Sequence, residues 1–89
     1  MNLELIQQFY KDVERGVSRE EFMTYCERIQ DDILRLPDGD AKGLARSLLY
    51  AVVFNGWSEL IEKRSQSQRV LPSIQTLIDF VEKLQPPTV

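Results

Sequence analysis

The sequence predicts an all-α protein folded as an antiparallel up-down four-helix bundle. Three observations predict it. Apolar residues recur at intervals of three and four in four separate segments, and no segment makes a convincing strand. The segments are joined by short polar stretches, so neighbouring helices run antiparallel. The chain has 89 residues, room for one core and no second. Residues 1–85 are read as a single domain and 86–89 as a short tail.

The first helix is expected near 2–15, with Leu5, Ile6, Phe9, Tyr10 and Val13 on one side and Gly16 ending it. The second, near 19–36, opens on "VSREEF". Ser18 and Glu21 have the spacing of a capping box, and Val17 and Phe22 that of a hydrophobic staple. Its stripe is Phe22, Tyr25, Cys26, Ile29, Ile33 and Leu36, stopped by Pro37. "PDGD" reads as a turn whose aspartate caps the third helix.

The third helix is expected from 41 to 64. Leu44, Leu48, Leu49, Val52, Val53, Gly56, Leu60 and Ile61 keep helical phase through "NG", so one continuous helix is favoured over a break. Gly56 costs about 1 kcal/mol in a helix interior. Close approach of a neighbouring helix, or a bend, is the expected compensation. "RSQSQR" is a loop. The fourth helix starts at "LPS", carries Ile74, Leu77, Ile78, Val81 and Leu84, and ends at Pro86 and Pro87.

Charge narrows the partners. Residues 1–40 hold ten acidic and five basic side chains, a net of −5; residues 41–89 hold four and six, a net of +2, which sums to −3. An acidic chain without a basic cluster is a poor nucleic-acid binder. The opening "MNLELIQQFYKDVERG" has neither the basic front nor the apolar stretch of a signal peptide. The longest apolar run, Leu48 to Phe54, is far short of the roughly 20 residues that span a bilayer. The expectation is a soluble, cytoplasmic protein.

Chemistry is sparse. Without histidine there is no Ser-His-Asp or Cys-His arrangement, and no phosphate-cradling glycine motif is present. No enzyme activity, cofactor or metal is expected. Asp38, Asp40 and Gly43 match positions 1, 3 and 6 of a calcium loop, but Lys42 and Leu49 occupy positions 5 and 12, so the match fails. Cys26, on an apolar stripe beside Glu27, reads as a core thiol.

Partner-binding candidates are of two kinds. Tyr50, Phe54, Trp57 and Ile61 form a second strip beside the core face of the third helix. Together the two faces exceed half its circumference, more than a bundle helix needs. Tyr50, Phe54 and Trp57 are therefore either internal core, a homodimer face or a partner surface. Lys63, Arg64 and Arg69 bracket the last loop: Lys63 and Arg64 suit a helix C-terminus, and the alternative is a loop that meets an acidic partner or a membrane's inner surface. Glu20, Glu27 and Asp31 form an acidic line on the second helix, either a solvated face or a strip for a basic partner.

The order of "ELIQQFYKDV", a polar second helix ending near "ILRL", "LARSLLYAVVF", a polar-basic loop and "LPSIQTLIDFVEKL" resembles the immunity proteins of class IIa (pediocin-like) bacteriocins, over residues 3–85. That resemblance implies a small cytoplasmic antiparallel bundle that protects the producer of a pore-forming peptide. Such proteins are thought to recognise the bacteriocin once it has engaged its membrane receptor, a sugar-transport permease. Specificity would then lie in Lys63 to Arg69, the fourth helix and the tail. Homodimerisation and proximity to a membrane surface stay open. "GVSREEFMTY" is also similar to the second helix of nuclease-colicin immunity proteins. On that reading Glu20, Glu27 and Asp31 would block a basic nuclease site.

Overall fold

The computed structural model describes residues 1–62 and 69–84. The helices are α1 (Leu3–Arg15), α2 (Arg19–Leu34), α3 (Asp40–Gly56) and α4 (Val70–Leu84), with a single π-helical turn, Trp57–Ile61, continuing α3. Each helix packs on the next and α4 closes against α1, giving the expected four-helix bundle.

Local chemistry sets the helix ends. Asn2 caps α1 by accepting from the Leu5 amide at 3.2 Å. Gly16 ends it at φ 110°, a conformation that favours glycine. The capping box forms in full: Ser18 Oγ accepts from the Glu21 amide at 3.1 Å, and Glu21 Oε1 from the Ser18 amide at 3.2 Å. Helix α2 stops at Leu34, two residues before the expected end. Arg35 and Leu36 donate instead to carbonyls three residues back, a tightened last turn.

The cap of α3 differs from the expectation. Gly39 holds that position at φ 150°, no side chain caps it, and Asp40 is the first helical residue. Asp38 is engaged elsewhere, with Lys42 Nζ at 3.3 Å. The same ammonium donates to the Leu34 carbonyl at 3.2 Å, which satisfies an orphan acceptor at the end of α2.

Two cross-links display the antiparallel order. The Asn2 amide donates to Asp32 Oδ2 at 3.1 Å, joining the start of α1 to the end of α2. Asn55 Nδ2 donates to Ser73 Oγ at 2.6 Å, joining the end of α3 to the start of α4.

The core contains the predicted centres of every stripe: Ile6 and Phe9, Phe22 and Ile29, Val52, Ile74 and Leu77. Two expected core residues lie outward, Leu44 at 50% exposure and Leu84 at 40%. Ala45, one residue after Leu44, takes the inner position because it lies nearer the centre of the Leu49–Val52–Gly56 face.

The third helix stays helical through Asn55-Gly56, with Gly56 at φ −66° and ψ −40°. It then widens at Trp57, where the Glu62 amide donates to the Trp57 carbonyl at 2.9 Å, five residues back. The described helix ends at Ile61, and expected positions 63 and 64 lie outside the described residues. Gly56 is there for space. A Cβ on it would lie 2.1 Å from Phe22 Cζ, so the Phe22 ring occupies the volume a side chain would need. Phe22 packs tilted on Phe9, and Phe9 stacks on Tyr25, extending the aromatic contact across the bundle.

Candidate functional site

The inner residues of α3 fix the direction of its outer ones. With Ala45, Leu49, Val52 and Gly56 facing the core, Phe54 points away from it and Tyr50 lies between Phe54 and α2. Phe54 is 71% and Tyr50 65% exposed. The structure thus places this part of the aromatic strip outside the core. Ile61 is half-buried.

Between the strip and α2 lies an apolar groove of about 210 Å³. Cys26, Ile33, Leu49 and Val53 line its depth, Met23 and Leu34 its α2 side, and Tyr50 its α3 side. Leu34 is 51% exposed. A second depression, sharing Tyr50 and Val53, continues past Phe54 to Trp57. The apolar surface is therefore continuous along the seam.

Its rims differ in charge. Glu27 lines the groove on α2, and Glu20 and Asp31 lie along the same outer line, all three exposed. None of them enters an ion pair or side-chain hydrogen bond with a described residue. Arg46 is on the α3 lip. Burial, with a smaller contribution from Glu27, pushes the Cys26 thiol up to about 12. The thiol stays protonated and serves as apolar floor, as the sequence predicts.

Trp57 is the part of the strip that is tied down. The Arg19 guanidinium lies 5.2 Å from its ring centroid. Its Nε1–H donates to Glu62 Oε1 at 2.8 Å. It joins the π turn to the start of α2 and lines the second depression.

The basic candidates are not brought to this groove. Lys63 and Arg64 lie outside the described residues, as does the tail. The Arg69 side chain is exposed, while its amide donates to Glu59 Oε1 at 2.7 Å, fastening the start of α4 to the π turn. The former calcium-loop match supplies no site: no group of three candidate ligands occurs among the described residues.

On the opposite flank, the Tyr25 hydroxyl donates to Asp12 Oδ2 in a short hydrogen bond. Burial and then this carboxylate raise Tyr25 to about 12, and the hydroxyl holds Asp12 below its ordinary range.

Met23 and Leu34 were missing from the sequence candidates. They lie off the centre of the α2 stripe, on the side turned to α3, and that shared offset was the available signal. Comparison of the chain with family models, curated proteins and solved structures gives no match. Among the described residues, no helix is long and apolar enough to cross a membrane.

Proposed function

We propose that this protein is a cytoplasmic immunity protein that protects a bacteriocin-producing bacterium by binding, without catalysis, to a pore-forming bacteriocin engaged with its membrane receptor. The whole-chain resemblance supplies the partner. The observation that carries the reading is the outward pair Tyr50 and Phe54, two large aromatics left in solvent beside an apolar groove. Exposed aromatics of this kind are the usual anchors of protein interfaces. The test is expression in a sensitive host challenged with a panel of pediocin-like peptides. Survival against one or a few peptides is expected, lost with Phe54→Glu. Lys63, Arg64 and Arg69, reversed to Glu, test whether the last loop sets which peptide is recognised.

One observation favours a second reading. Glu20, Glu27 and Asp31 are exposed without ion-pair partners among the described residues, as a strip facing a basic nuclease would be. Tight one-to-one binding to a nuclease toxin, lost on reversing these three charges, would identify it.

A further inference from the structure

We infer that the groove between α2 and α3 receives an amphipathic helix of the partner, with its apolar side on Tyr50, Phe54 and Leu34 and a cationic edge along Glu27 and Asp31. This rests on reading the chain as a binding protein and adds the site and the chemistry of its occupant.

The groove selects a helix for a physical reason. Its depth is side chains of two helices whose backbone groups are already paired within those helices. An extended peptide would find no backbone partners there and would leave its own amides unsatisfied against apolar surface. A helix satisfies its backbone internally and packs its ridges between two others. From Met23 to Leu34 the α2 side measures about 17 Å at 1.5 Å per residue, roughly three turns of an occupant.

Charge selects the edge. Glu27 lines the α2 rim, Asp31 follows one turn on along the same outer line, and neither enters an ion pair with a described residue, so both can meet lysine or arginine. Arg46 on the other lip fixes the sense: the occupant's cations belong on the α2 side.

The test is an NMR titration of the full chain with three designed 15-residue peptides sharing one Leu/Phe stripe. One carries lysines along the stripe's edge, one carries glutamates there, and one is the lysine peptide with a central proline. The lysine peptide is expected to shift amides from Met23 to Leu34 and from Arg46 to Trp57. It should bind about tenfold more tightly than the glutamate peptide, a factor typical of complementary rim charges. The proline peptide should not bind. Glu27→Lys with Asp31→Lys should remove the preference for lysine, and Phe54→Glu should remove binding. Both sites are exposed, so both chains should fold.

Equal affinity for the lysine and glutamate peptides, shifts confined to another face, no binding, or a concentration-dependent dimer that covers the groove would each overturn the inference. Protection in cells is read separately. A chain that protects while its groove ignores the lysine peptide loses this inference and keeps the immunity reading. A chain that fails to protect yet binds that peptide in the groove keeps the inference and loses the immunity reading.

Discussion

Phe54 and Gly56 are two residues apart on α3 and face opposite worlds. Phe54 presents a full aromatic ring to solvent, while Gly56 has no side chain because Phe22 fills its place. The inner side of the helix is packed until not even a methyl group fits. The outer side carries large apolar groups that touch little of their own chain. Both sides are apolar, so hydropathy alone does not separate them; packing does. The inner side holds the fold together, and the outer side takes little part in that packing.

Substitutions on the two sides should therefore differ in kind. The largest effect is expected at Phe22→Ala, which empties a fully buried aromatic site touching α1 and α3; about 3–5 kcal/mol should be lost in a urea melt. Gly56→Ala should cost about 2–3 kcal/mol by overpacking, seen as a lower melting temperature. Combined with Phe22→Leu, the alanine should cost less than it does alone, because the shorter side chain yields the space.

Alkaline pH should probe the interior next. Cys26 and Tyr25 have folded values raised to about 12, from ordinary values of 9.0 and 10.0. Their protonated forms are favoured in the fold, so this stability is fully present below pH 9 and is lost as pH rises toward 12. Tyr25→Phe should flatten the upper part of that decline in melts taken between pH 8 and 12.

Ser18→Ala should cost about 1 kcal/mol by opening the capping box, measured by chemical denaturation. The smallest effect on stability is expected at Phe54→Ala, within about 0.5 kcal/mol of the parent, since the ring is mostly in solvent. Its partner affinity should nevertheless fall at least tenfold, the loss expected of an aromatic anchor. A large stability loss at Phe54 would abolish the contrast with Gly56.

The bundle was legible because periodicity and caps are local. The α2 start is the clearest case: four residues of sequence specify both hydrogen bonds of its cap. Gly56 was legible as a contact point, though not as a contact with Phe22, because the partner lies 34 positions away in the chain. Tyr50 and Phe54 were legible as surplus apolar area, but their exposure was not. An apolar residue reads the same whether another helix covers it or solvent does, and only the placement of α2 and α4 distinguishes the two. Leu44 failed for a related reason. Alanine contributes little to a hydrophobic pattern, so Ala45 was overlooked as the residue that fits the narrow inner face. The groove needed both helices at once, and no single stripe announces a space between stripes.

The π turn at Trp57–Ile61 is, in geometric terms, one residue more than an α-helix would use. That gives the segment slack in length, a property that side-chain chemistry does not convey. Removing one residue there would turn the five-residue bond from Glu62 to Trp57 into an ordinary α-helical one and leave the chain beyond in nearly its present register. A one-residue deletion between Trp57 and Ile61 should therefore cost less stability than one within Asp40–Gly56, where no turn has a residue to spare. Sequences built on this plan should differ there by one residue more readily than anywhere else in the third helix.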